Sequence, residues 1–169
     1  YWCGVRELYS PEFRAELDAL QPPNACNQET GPMAPADLAE FATRYTQAWS
    51  SQDPASVAAF FAETGALKIN DVEPSVGRAA ITATALSFMT ALPDMVLVMD
   101  SLGRSGERVT YHWTLTGSNT GPGGTGNVVH ISGYEEWLFG PDGLIAHSQG
   151  HMDEAEYARQ LANGATPPP

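Results

Sequence analysis

The chain is predicted to fold as an α+β domain, with helices gathered in its first half and an antiparallel sheet in its second. Three observations carry this. Between Pro35 and Ser51, Leu38, Phe41, Ala42, Tyr45, Ala48 and Trp49 recur at three- and four-residue spacing, which gives a helix one broad apolar face. From Arg108 to Asp153 the sequence is rich in Val, Ile, Thr, Tyr and Trp, and it is broken by Gly121–Gly126 and by Pro141-Asp142-Gly143. Those breaks are where an antiparallel meander must reverse. Finally, helical patterns come first and strands follow, which places the helices on one face of the sheet.

The elements follow in order. Residues 1–34 are predicted to be an extension, with Ser10-Pro11-Glu12 opening a short helix that runs to about Leu20. Pro22-Pro23-Asn24 ends it, and a linker leads to the domain, expected over 35–163. After the first domain helix, Asp53-Pro54 restarts the chain into a second helix, expected over Ala55–Ala62, and Ala66–Asn70 is predicted to be a strand. A third helix is expected from Gly77 to Ala91, stopped by Pro93-Asp94. Four strands follow over Met95–Leu102, Arg108–Asn119, Asn127–Phe139 and Leu144–Asp153. A last helix, Glu154–Ala162, has acids in its first turn, and a Pro-rich tail, 164–169, closes the chain.

Composition excludes several classes. The net charge is −12, and eight Lys and Arg cannot offset phosphate repulsion, which argues against nucleic acid and anionic membrane surfaces as partners. No apolar run approaches the roughly 20 residues of a membrane span. Cys3 and Cys26 would close a loop of about 24 residues in an oxidising compartment, a disulfide contributing roughly 3 kcal/mol. That pairing, together with a chain that starts at Tyr1, favours a secreted or periplasmic location over the cytoplasm; Met33 is an alternative start.

Several strings, in order, carry a family resemblance: Tyr45-x3-Trp49 followed by Asp53 and Phe60-Phe61; Gly77-Arg78-Ala79-Ala80-Ile81; Leu92-Pro93-Asp94; Trp113 to Gly121; and Asp142-Gly143-x-Ile145 leading to Asp153. Over roughly residues 36–162 the chain resembles the SnoaL-like polyketide cyclase branch of the nuclear transport factor 2-like, ketosteroid isomerase-like superfamily. The resemblance implies a cone-shaped curved antiparallel sheet wrapped around the N-terminal helices, a deep pocket, and a homodimer formed through the sheet's outer face. It implies cyclases, isomerases, dehydratases and epoxide hydrolases, but also non-catalytic binders, so fold alone does not settle function. The family's His-Trp-Asp string falls on Ser148, Gln149 and Gly150, which puts glycine where the family carries its catalytic acid. Asn119 stands where the family has a His.

The residues themselves offer replacements. By two-residue alternation Ile131, Gly133, Glu135, Trp137 and Phe139 share one face of a strand. A lone carboxylate among such neighbours is desolvated and its pKa raised towards general acid/base use; the alternative is an exposed strand-edge Glu135, with Glu136 facing inward. Glu135 is therefore the expected base, with Tyr45, Asn119 and His130 as donors or orienting groups. Trp49, Asn70, Trp113, Trp137 and Ser148 are expected against the ligand. Tyr45 also reads as a core tyrosine with a satisfied hydroxyl, Asn70 as a turn residue, and His130 as facing away from Glu135.

Other constellations are set aside. His147 and His151 lie about 13 Å apart on a strand, too far to share an ion, so no metal site is expected. The glycine-rich turn lacks the Lys-Ser/Thr of a phosphate loop, and no Gly-x-Ser-x-Gly elbow occurs. The expected function is a cofactor-independent small-molecule enzyme transferring protons on an apolar, carbonyl-bearing substrate. The alternative is a non-catalytic small-ligand-binding or dimerisation domain.

Overall fold

A computed structural model describes residues 35–165. The expected helix at Ser10–Leu20, the Cys3–Cys26 pair and the tail from 166 lie outside the described residues. Four helices and six strands follow one another: α1 Pro35–Ser50, α2 Pro54–Ala58, β1 Phe61–Ile69, β2 Ser75–Val76, α3 Arg78–Ala91, β3 Val96–Ser105, β4 Arg108–Ser118, β5 Val128–Phe139, β6 Ile145–Met152 and α4 Glu154–Asn163. The fold is α+β, with one curved, unclosed sheet in the order β2-β1-β6-β5-β4-β3. The β3–β6 meander is antiparallel, as its turn chemistry predicts; β1 joins β6 in parallel, so the sheet as a whole is mixed.

Burial follows the periodicities. Leu38, Ala42, Tyr45, Ala48 and Trp49 of α1 are all buried, and on β4 Val109, Tyr111, Trp113 and Leu115 alternate inward with more exposed neighbours. Together with Ile81, Ala85 and Met89 of α3 they form one core between the helices and the concave face of the sheet. Aromatic edge-to-face contacts tie α1 to the sheet: Tyr45 meets Trp137 at 5.0 Å and Tyr111 at 5.6 Å between ring centroids.

Two local expectations are corrected. The second helix stops at Ala58 rather than Ala62, although Asp53 caps it by accepting from Ala55 N–H. Phe61 instead opens β1, fully buried and paired with Ile145, so the strand begins five residues before the expected Ala66. Tertiary burial of one aromatic ring overrides helical continuation there. The register with β6 shifts between Phe61 and Ala66, where Gly65 admits the Ile145 carbonyl oxygen; a Cβ there would sit 2.8 Å from it.

Candidate functional site

Three cross-strand rows build the floor of the site, because strand register places residues of β4, β5 and β6 side by side on the concave face. They are Val109–Trp137–Ser148, Tyr111–Glu135–Gly150 and Trp113–Gly133–Met152. Glu135 thus stands in the middle of a central strand, not at an edge. Its neighbour Glu136 points to the opposite, outer face, where it meets Arg108 Nη1 and His151 Nε2, each at 2.9 Å.

Glu135 is only 6% exposed, and its carboxyl is held by three donors on one oxygen. Ser148 Oγ donates to Oε2 at 2.7 Å, Trp137 Nε1 at 2.8 Å and Tyr45 Oη at 3.0 Å. Among the described residues the other oxygen, Oε1, has only a long 3.4 Å contact with Tyr45 Oη. Burial pushes the Glu135 carboxyl above the ordinary carboxylate range, and the three hydrogen bonds from Trp137, Ser148 and Tyr45 only partly offset it.

This asymmetry has a chemical consequence. Oε2 accepts the same three bonds whether the carboxyl is neutral or ionised, so a proton can reside on or leave Oε1 without any donor turning. The site is pre-organised for both protonation states. Tyr45 stays a neutral donor, since burial and the nearby Glu135 charge both raise its pKa well above the ordinary value. The adjacent Trp49 indole opposes this in part, although its N–H lies outside hydrogen-bond geometry to the hydroxyl. Tyr111 is raised too, mainly by burial, and its hydroxyl pairs with Thr46 Oγ1 at 2.6 Å.

Beside the carboxyl lies a cavity of about 50 Å³, counted as room for the centres of water molecules, which is several waters' worth. Glu135 lines it with Gly150, Trp49, Trp113 and Phe88, and the remaining lining is His151 together with aliphatic and Met residues from β1, β3, β4, β6 and the turn before β3. The indole Nε1 atoms of Trp49 and Trp113 are buried and have no hydrogen-bond partner among the described residues.

The structure sorts the sequence-predicted residues into three groups. Glu135, Trp49 and Trp113 line the cavity. Tyr45, Trp137 and Ser148 touch the carboxyl itself, so Trp137 and Ser148 hold Glu135 rather than face a ligand. Asn70, Asn119 and His130 lie outside the lining. Asn70 ties the end of β1 to β6, its N–H donating to the Gly150 carbonyl and its Oδ1 accepting from Met152 N–H. Asn119 clamps the glycine-rich turn: Nδ2 donates to the Ala91 carbonyl and Oδ1 accepts from Thr125 N–H. His130 is corrected as a partner of Glu135. It is exposed, with Nδ1 3.1 Å from Thr116 Oγ1, because it has the opposite strand parity.

The sequence reading marked Gly150 only as the position where the family carries its acid, not as a cavity residue, and missed Tyr111 as a stacking partner of Trp137, with ring centroids 4.7 Å apart. Register would have found both, since Tyr111 and Gly150 flank Glu135; but register is a property of the paired sheet. Among the described residues, no cluster of three or more metal-ligating side chains occurs, and no helix is long and apolar enough to cross a membrane.

A helix-filled concave sheet with one buried carboxyl and an apolar hollow defines a class of small cone-shaped α+β domains. The chain belongs to the SnoaL-like domain family, whose model matches residues 42–148. Solved structures share the fold at low identity. A candidate SnoaL-like polyketide cyclase from Jannaschia sp. CCS1 superposes with a TM-score of 0.68 at 17% identity, over 79% of this chain and 98% of that one. AclR, a candidate hydroxylase from Streptomyces galilaeus, gives 0.66 at 21% identity, over 80% and 91%. A hypothetical protein with a ketosteroid isomerase-like fold from Catenulispora acidiphila, solved in complex with trimethylamine, gives 0.64 at 16% identity, over 73% and 92%. Comparison with curated proteins gives no match.

Proposed function

We propose that this domain is a small-molecule enzyme that transfers protons on an apolar, carbonyl-bearing substrate, with Glu135 as general acid/base. One observation carries the reading: a buried carboxyl that lines an apolar cavity, with its three strong donors all on Oε2 and only a long contact on Oε1 among the described residues. A carboxyl lifted towards neutrality by desolvation is suited to take a proton from carbon next to a carbonyl and return it elsewhere. Such a step calls for a base and for donors to the developing oxyanion, and needs no cofactor. The unpartnered Trp49 and Trp113 N–H groups, on side chains lining the cavity, are donors of the required kind.

The proton path starts on the substrate carbon, passes to Glu135 Oε1, and ends on the carbon or oxygen that becomes protonated in the product. Tyr45, Trp137 and Ser148 keep Oε2 fixed throughout. The test is the isomerisation of cyclohex-3-enone to its conjugated isomer, followed by ultraviolet absorbance. Glu135→Gln is expected to lower the protein-dependent rate by a factor on the order of 10²–10⁴; an unchanged rate contradicts the assignment.

The second reading is a non-catalytic small-ligand-binding domain. It is favoured by the scarcity of polar groups in the cavity, where Glu135 is the sole acidic side chain among the lining residues. A homodimer through the outer sheet face belongs with either reading. Val96, Val98 and Val128 are about half exposed there, and sedimentation velocity tests it.

A further inference from the structure

Two glycines sit in the three cross-strand rows around Glu135, and their surroundings differ in kind. Gly133 is filled by its neighbours: a Cβ there would come within 2.6 Å of both Trp113 Cζ2 and the His151 carbonyl oxygen. Its missing side chain is the seat of the Trp113 indole. Gly150 is less crowded. Its φ is not positive, and a Cβ would meet nothing closer than the Lys68 carbonyl oxygen at 3.3 Å, then Ile69 at 3.7 Å. Its backbone conformation does not call for glycine, and a methyl there requires the β1 backbone at Lys68 to give by a few tenths of an ångström.

What Gly150 does have is position. It pairs directly with Glu135 across β5–β6, its other neighbour on β1 is Ile69, and it lines the cavity with both. The Ser148 side chain, two residues earlier on the same face, reaches Glu135 Oε2. A side chain at 150 would therefore rise from the same face of the sheet as Glu135, into the space that both residues line.

We propose that Gly150 is the specificity-determining residue of this site: its missing side chain keeps a slot beside the Glu135 residue it pairs with, which takes the flat, unbranched, oxygen-bearing edge of the ligand. The inference rests on Glu135 being the polar pole of the pocket, and adds the shape of what meets it. A planar ring with a carbonyl or hydroxyl at its edge enters such a slot, whereas a ring branched next to that oxygen does not. The methyl of an alanine occupies the same space and excludes the planar edge as well.

The experiment measures binding of 2-naphthol, a planar ring with an edge hydroxyl, by quenching of tryptophan fluorescence, since Trp49 and Trp113 line the cavity. Wild type, Gly150→Ala and Gly150→Val are compared, with thermal melts run in parallel. The wild type is expected to bind, Gly150→Ala to bind at least roughly tenfold more weakly, and Gly150→Val not measurably, each folded variant keeping a cooperative melt. Failure of the wild type to bind, or a folded Gly150→Ala that binds as wild type does, overturns the proposal.

The parallel cyclohex-3-enone assay on Glu135→Gln separates this inference from the catalytic reading. Loss of naphthol binding in Gly150→Ala together with unchanged isomerisation in Glu135→Gln leaves the slot standing and removes the catalytic role of Glu135. The reverse pair of results removes the slot alone.

Discussion

Tyr45 Oη and Glu135 Oε2 lie 3.0 Å apart, a hydrogen bond that joins the first helix to the middle of the sheet across 90 residues of sequence. The bond favours the ionised carboxyl, while burial favours the neutral one and prevails. Tyr45→Phe therefore raises the Glu135 pKa further. In the cyclohex-3-enone assay the acid limb of the kcat/KM profile is expected to move to higher pH, because the basic form is reached later. A limb that stays in place would show that Tyr45 does not tune the base.

Ser148→Ala removes the shortest of the three donors to Oε2, at a fully buried position. Loss of a buried hydrogen bond to a carboxyl is expected to cost about 1–3 kcal/mol in urea unfolding. The same variant should shift the acid limb upward as Tyr45→Phe does. A stability loss without a shift would assign Ser148 to packing alone.

Glu135→Gln has a pH-dependent effect on stability whose sign follows from linkage. The folded carboxyl holds its proton at higher pH than the unfolded one, whose ordinary value is 4.5. The stabilisation from the neutral form is complete below 4.5 and is lost as pH rises through the raised folded value. Glutamine has no such titration. The variant is expected to gain melting temperature over wild type as pH increases from 4.5, with the smallest difference in acid. A gap that widens towards acid would reverse the sign and refute the burial argument.

Gly133→Ala is expected to destabilise by roughly 1–3 kcal/mol, because its Cβ meets a ring and a backbone oxygen at 2.6 Å. Differential scanning calorimetry measures it. By contrast Glu136→Gln, on the solvent face with Arg108 and His151, should change stability by less than about 1 kcal/mol. Equal effects at the two sites would mean that the concave floor is less tightly packed than described.

Much of the fold was legible in the sequence because the two periodicities are unambiguous where burial is one-sided. The Leu38–Trp49 face of α1 and the alternation along β5 mark the core, and alternation alone put Glu135 among Trp and Ile. Two things lay beyond it. Phe61 leaves the helical pattern of Val57 and Phe60 because a paired position opposite Ile145 buries it completely, a tertiary effect that no local pattern encodes. The roles of Asn119 and Asn70 depend on which carbonyls and amides the folded turns leave unpaired, and sequence gives no partner for either. Trp137 and Ser148 were placed at the site, but only register and rotamer show that they grip the carboxyl.

The most direct measurement is the titration of Glu135 itself, read as the wild-type minus Glu135→Gln infrared difference spectrum across pH. The neutral-acid C=O band is expected to persist above pH 4.5 and to give way to carboxylate bands only at the raised value. A carboxyl already ionised at or below 4.5 would contradict a desolvated acid/base group in this cavity.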